Sequence, residues 1–187
     1  MQRTASHAIE RHATLRYTTT AIVLHWLSAL LIVCAFTLGW IMTDIAGITP
    51  TKLKYYSWHK WLGVTVFAVA CLRLLWRLKY APPAPPPGTP AWQQKVADGV
   101  HLLLYFLIFA VPVSGYLYTL AAGVPVVYLG LIPLPVLIAP NPQWKPLLKE
   151  LHYVLTMSLA AFTLLHVAAA LKHQLIDRDG LLRRMLP

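Results

Sequence analysis

The sequence predicts an all-α integral membrane protein, a bundle of four spanning helices with cofactors held between them. Two observations carry the membrane reading. Hydrophobic residues fill 58% of the 187 positions and charged residues only 12%, with a mean hydropathy of +0.58, whereas a soluble domain is about half apolar and a quarter charged. The charges are also unevenly spaced, leaving gaps from Arg16 to Asp44, Lys60 to Arg73, Asp98 to Lys145 and Glu150 to Lys172. A helix needs about 20 apolar residues to cross about 30 Å of hydrocarbon. The gaps therefore predict spans at roughly 21–43, 57–79, 97–120 and 147–173.

Taken in order, the first apolar run is too long for the h-region of a secretory signal and no small-residue cleavage site closes it, so it is expected to remain as an anchor. The second is the shortest, but Lys60 and Arg73 can snorkel near its ends while Trp58, Trp61, Trp76 and Tyr80 supply interfacial rings. The stretch "APPAPPPGTP" (81–90) cannot be helical and reads as a stiff cytoplasmic connector. After the third span, residues 121–146 are too broken by proline for a fifth crossing and too apolar for a solvated loop. They read as an outer interfacial cover over one end of the bundle. No internal repeat is evident, and residues 1–187 are expected to form one membrane domain.

Basic residues orient the chain. With the N-terminus inside, Arg3, Arg11, Arg16, Arg73, Arg77, Lys79, Lys95, Lys172, Arg178, Arg183 and Arg184 fall on the inner side, against Lys52, Lys54, Lys60, Lys145 and Lys149 outside. Both termini are thus expected in the cytoplasm. The net charge of +10 reads as contact with anionic lipid headgroups. Four spans argue against a nucleic-acid partner. Cys34 and Cys71 form no CxxC pair and precede no histidine, which argues against a disulfide framework and against covalent c-type haem attachment.

Histidines supply the functional signal. His25 and His101 lie near the cytoplasmic starts of spans one and three, His166 near the inner end of span four, and His59 and His152 toward the outside; His7, His12 and His173 lie in tails or at a boundary. Ionisable residues inside a membrane are costly and mark function by default. His152 and His166 are separated by fourteen residues, about 1400° of rotation, so they share a helix face about 21 Å apart and cannot bind one metal together. Zinc would want ligands converging on one point, often at i,i+4, which no helix offers. Two separate cofactors fit better. The same interval leads from His25 to Gly39, from His101 to Gly115 and from His59 to Arg73. A haem explains the pattern: iron takes an imidazole from each side, glycines clear space for the macrocycle and an arginine pairs with a propionate. Either glycine would equally serve close helix packing. The outer layer holds only His59 and His152, which must pair if a haem lies there. In the inner layer His25, His101 and His166 compete for two positions.

Four stretches in order, "RYTTTAIVLHWLSALLI", "HKWLGVTVFAVACLRLLWRLKY", "HLLLYFLIFAVPVSGYLY" and "ELHYVLTMSLAAFTLLHVAAALKHQL", resemble the bacterial cytochrome b561 family, dihaem four-helix membrane cytochromes related to the b-type subunits of nickel hydrogenases. The resemblance covers nearly the whole chain. It implies two b haems, with His25 paired to His166 and His59 to His152, and leaves His101 outside the ligand set. It further implies a multi-pass protein of the bacterial inner membrane that exchanges electrons with ubiquinone and, in some members, oxidises superoxide on the outer face. Iron with two histidines has no open position, so single electrons would pass at haem edges. Lys52, Lys54 and Lys60, beside His59, would attract a small anionic donor. A haem-bearing anchor for a peripheral dehydrogenase or hydrogenase is the other redox reading. A histidine-lined metal or proton transporter fits the two layers poorly.

Overall fold

The computed structural model describes residues 16–86 and 88–186. Four long helices dominate: α1 (Thr19–Asp44), α2 (Pro50–Lys79), α3 (Ala91–Ala121) and α4 (Trp144–Lys172). All four are long and apolar enough to cross a bilayer, and the fold is an all-α transmembrane four-helix bundle. The first three expected spans fall within these helices and the fourth runs one residue past α4, but α2 starts at Pro50 rather than 57 and α3 at Ala91 rather than 97. Hydropathy reports only the length that crosses hydrocarbon, whereas local capping sets where a helix begins. Thr49 accepts the Lys52 N–H at 3.2 Å with Pro50 at the first helical position, a combination that starts a helix in water as readily as in lipid. Residues 45–49 alone join α1 to α2, so the two lie antiparallel and close.

The helices pack as two hairpins. Contacts are most extensive within α1–α2 and within α3–α4, and sparser between α2 and α3. The stretch 81–86 has no regular structure, and its prolines offer few N–H groups to extend a helix. Buried Val66, Ala70, Leu107, Ile108 and Leu159 form the shared core, with Leu31 and Ile32 packed against it. Ile32, Val66, Ile108 and Leu159 each stand seven residues, about two turns, after a layer histidine (His25, His59, His101, His152). The apolar core thus occupies the level midway between the two histidine layers. Outward-facing Leu30, Val33, Leu102 and Leu164 are all at least 60% exposed, as lipid-facing side chains should be when hydrocarbon is the solvent.

The α3–α4 connection does not form a simple cover over one end. Its strands β1 (Val127–Tyr128) and β2 (Ile132–Pro133) pair antiparallel around Leu129 and Gly130, both at positive φ. This hairpin lies along the side of the bundle. The Trp61 indole N–H donates to the Val127 carbonyl at 2.7 Å, Thr65 and Tyr128 share a hydroxyl hydrogen bond at 2.9 Å, and the Tyr116 hydroxyl donates to the Pro135 carbonyl. Trp61 and Thr65 are one turn apart on α2 and Tyr116 is on α3, so the hairpin is pinned beside the α2/α3 seam. At the opposite end, the Trp26 indole donates to the Met185 carbonyl at 2.7 Å and Arg184 to the Ala84 carbonyl at 2.7 Å. These bonds tie the C-terminal turn to α1 and to the proline-rich connector.

Candidate functional site

Two histidine layers cross the bundle. In the layer near the α1–α2 loop, His59 of α2 faces His152 of α4 with ring centres 6.3 Å apart. Each ring is held by its own hairpin partner. His59 Nδ1–H donates to the Ala35 carbonyl of α1 at 3.0 Å, and His152 Nδ1–H to the Val111 carbonyl of α3 at 3.1 Å. A proton fixed on Nδ1 leaves the Nε2 lone pair free for a metal. Buried Ser114 donates to the Val111 carbonyl at 2.9 Å and lies 3.1 Å from His152 Nδ1, adding a second restraint.

Close approach to those carbonyls depends on glycine. Gly39 and Gly115 each follow the accepting residue by one helical turn. A Cβ added at Gly39 would sit 3.1 Å from His59 Cε1, and one at Gly115 only 2.8 Å from His152 Cε1. In each case the imidazole itself occupies the space beside the glycine.

In the layer near the 81–90 connector, His25 of α1 and His166 of α4 have ring centres 6.3 Å apart, and His101 of α3 comes within 5.5 Å of His166. Arg73 donates to His25 Nδ1 at 2.9 Å, and the guanidiniums of Arg73 and Arg77 lie 5.2 and 5.4 Å from the centre of the Tyr105 ring. The Trp26 ring meets His25 edge-on at 5.3 Å. His25, His166 and Arg73 are therefore brought together, with His101 beside them. His7 and His12 lie outside the described residues. His173 stands apart at the end of α4, with Nδ1 3.2 Å from Asp177 and 2.6 Å from Asp179.

The separations constrain the chemistry. With a metal about 2 Å from each ligating nitrogen and each ring centre about 1 Å further out, two opposed imidazoles have centres about 6 Å apart. His59/His152 and His25/His166 both meet that spacing. The His59/His152 layer offers two protein donors rather than the three or four a zinc site uses, which suits a metal whose other ligands come from a flat macrocycle; the other layer brings three imidazoles together.

The two hairpins also repeat one another. His25 and His101, Ala35 and Val111, and Gly39 and Gly115 are each 76 positions apart; His59 and His152, Val66 and Leu159, and Arg73 and His166 are each 93 apart. This corrects the sequence reading, which found no repeat. The two intervals differ because 22 residues join α3 to α4 and only 5 join α1 to α2.

The family model described as prokaryotic cytochrome b561 matches residues 16–187. The chain belongs to the prokaryotic cytochrome b561 family. Its relatives include cytochrome b561 homolog 2 of Escherichia coli K12, 33% identical over 171 residues and covering 91% of each chain. Cytochrome b561 homolog 1 of the same organism is 30% identical over 92% of this chain and 97% of its own. A Yersinia pestis protein named probable superoxide oxidase CybB is 28% identical over 92% of this chain and 96% of its own. Membership makes this chain a membrane electron-transfer cytochrome of the haem b type, and the paired imidazoles of His59 and His152, each with a free Nε2, fit that cofactor. Sequence reasoning missed the Ala35 and Val111 carbonyls and Ser114; the recurrence of glycine one turn beyond an unmarked backbone acceptor was the only signal for them. Gly115→Val should displace His152 and cost on the order of tenfold or more in haem affinity, measured as haem per protein after purification. Gly39→Val, whose clash is milder, should lose less.

Proposed function

We propose that the protein carries single electrons across the bacterial inner membrane between a donor on the outer face and the ubiquinone pool, using two b haems. His59 and His152 would hold one and His25 and His166 the other. The observation that carries this reading is the pair of 6.3 Å imidazole separations, set one above the other at a fourteen-residue interval. Bound in this way, haem supplies reversible one-electron exchange without an open coordination position. The chain's own residues orient and insulate it. The Ala35 and Val111 carbonyls raise the basicity of the outer imidazoles, while Ile32, Val66, Ile108 and Leu159 keep the level between the layers apolar.

The inner layer needs one adjustment. A guanidinium only donates, so its bond to His25 Nδ1 leaves that ring's proton on Nε2. Ligation through Nε2 requires Arg73 to release His25, and the freed guanidinium becomes the natural partner of a propionate. The distribution of basic residues favours both termini in the cytoplasm, which puts the His59/His152 layer outermost.

Superoxide suits the outer donor. Lys52 donates to the Ile45 carbonyl at 2.6 Å, bracing the α1–α2 loop, while exposed Lys54 lies over the Trp58 ring with its ammonium 4.7 Å from the ring centre. Lys54 is thus the charge free to steer an anion. Two superoxide anions would each give one electron and leave as O₂, and one ubiquinone would take both electrons with two protons to become ubiquinol. The similarity to the Yersinia protein named probable superoxide oxidase supports this substrate.

A reduced-minus-oxidised spectrum with haem quantitation is the direct test: two low-spin haems per chain are expected, and one haem or a high-spin spectrum would overturn the pairing. His59→Ala or His152→Ala should remove the outer haem and spare the inner one, and His25→Ala or His166→Ala the reverse. Loss of the inner haem on His101→Ala with retention on His25→Ala would reassign the ligand.

Arg73→Leu should lower the inner haem's reduction potential by about 40 mV, on the order of 1 kcal/mol for one electron, because a nearby positive charge favours the electron-bearing state. A spectroelectrochemical titration showing full haem content and an unchanged potential would assign Arg73 to lipid headgroups instead. Lys54→Gln should slow haem reduction by superoxide and flatten its salt dependence. Haem content and reduction by a neutral quinol should not change.

A further inference from the structure

The last carbonyls of a helix have no partner within it, and the short helical turn Leu182–Met185 hands its own to the start of α1. The Tyr17 N–H donates to the Arg184 carbonyl at 3.3 Å, the Trp26 indole to that of Met185 at 2.7 Å and the Arg16 guanidinium to that of Leu186 at 2.8 Å. Three successive carbonyls are thus clasped by α1 and the residues just before it. Arg184 in turn holds the Ala84 carbonyl of the connector at 2.7 Å, so the turn is fixed from two sides.

Of these contacts, the one through Trp26 leads inward. Its ring meets that of His25 edge-on, with centres 5.3 Å apart and planes at 82°, an arrangement that aromatic pairs favour. Successive side chains on a helix diverge by about 100°, so the two rings meet only if the indole leans toward its neighbour. Trp26 is 45% exposed, and a tryptophan at a membrane boundary would ordinarily turn its N–H to headgroups or water. Here the Met185 carbonyl takes that N–H instead and fixes the ring. The hairpin repeat isolates the device. Exchanging one hairpin for the other lays the α2/α3 seam on the α1/α4 seam, and 76 positions after Trp26, beside His101, stands Leu102. Leu102 is 73% exposed and offers neither an aromatic edge nor a side-chain donor. The histidine assigned to iron has the anchored tryptophan; the one left out does not.

We infer that the C-terminal turn positions the inner axial ligand: the Met185 carbonyl holds Trp26, and Trp26 sets the plane of the His25 ring. The inference rests on the proposed ligation by His25, and it answers a need that this ligation creates. Once Arg73 turns from His25 Nδ1 to a propionate, its hydrogen bond no longer restrains the imidazole, whereas His59 and His152 keep theirs to backbone. Trp26 is then the neighbour that can stop the ring rotating about its ligating nitrogen. It acts through His25 and is a positioning residue.

The angle between two axial imidazole planes governs the anisotropy of a ferric low-spin haem, so electron paramagnetic resonance of the haem-loaded protein reads this role directly. The planes stand at 65° for His25/His166 and 82° for His59/His152, and the His25→Ala and His59→Ala variants assign the two signals. Trp26→Phe keeps an aromatic edge and loses the N–H. It should shift and broaden the inner haem's lowest-field signal, with the outer signal unmoved and two haems retained. Deleting residues 183–187 should do the same, and Trp26→Phe in that background should add nothing further, because both changes cut one chain of contacts. Trp26→Phe alone decides the matter should the shortened chain fail to assemble. An unmoved inner signal in Trp26→Phe, the result expected of a tryptophan that only anchors the helix in the membrane, would overturn the proposal. So would an equal shift of the outer signal, loss of a haem in Trp26→Phe, or additive effects of the two changes. Retention of the inner haem in His25→Ala would remove the ligand assignment and the positioning role together. Its loss there, with an unmoved signal in Trp26→Phe, would remove the positioning role alone.

Discussion

The structure depends on one hydrogen bond, made twice: an imidazole N–H donating to a backbone carbonyl of the neighbouring helix. Inside hydrocarbon a histidine has no water to satisfy it, and an unpaired polar group there costs several kcal/mol. Helix carbonyls already accept from their own i+4 N–H, but each retains a second lone pair. His59 uses that of Ala35 and His152 that of Val111. Reaching such a carbonyl requires the imidazole to lie flush against the partner helix one turn on, where Gly39 and Gly115 lack the side chain that would block it. The same contact holds the two helices of each hairpin close and turns Nε2 away from the carbonyl. Packing, tautomer and ring orientation therefore share one cause.

The two layers use this device unequally. The layer of His59 and His152 is symmetric, and both rings are pinned by backbone, which no side-chain substitution can remove directly. In the other layer the equivalent positions hold His25, His101, Arg73 and His166, and His25 is restrained by a side chain, that of Arg73. Backbone anchoring favours a rigid site. Side-chain anchoring, with a cation inside the layer, favours a site whose charge balance changes with what binds beside it.

Much of this was legible in the sequence because the signals were local. Hydropathy located the spans, and helical periodicity placed His152 and His166 on one face and linked His25 to Gly39. The less legible features were those in which backbone acts or in which distant segments meet. A carbonyl has no letter of its own, so the parts played by Ala35 and Val111 could not be read, nor could the close contact of Gly39 and Gly115 with the imidazoles. The repeat was hidden because few residues recur between the hairpins and the intervals of 76 and 93 differ. The lateral position of β1 and β2 depends on Trp61 and Tyr128, whose bonding to another segment leaves no periodic trace.

The long α3–α4 connection that breaks the repeat's spacing also breaks the equivalence of the two seams. Its short counterpart, residues 45–49, can do no more than turn the chain between α1 and α2. The longer one reaches back along the α2/α3 seam and fastens to Trp61, Thr65 and Tyr116, with Leu129, Leu131 and Ile132 turned outward. Holding Leu129 at positive φ is unfavourable by roughly 1–2 kcal/mol, and three side-chain hydrogen bonds together offset that, each contributing about 1 kcal/mol. The hairpin thus covers the seam where it packs and leaves Leu102 and Phe106 of α3 exposed. On the proposed function the two partners are separated by solvent: a water-borne anion meets Lys54 near the α1–α2 loop, and a lipid-soluble quinone arrives through the bilayer. A cytochrome whose donor and acceptor arrive from different solvents can keep them apart by covering one half of one seam, with no moving part.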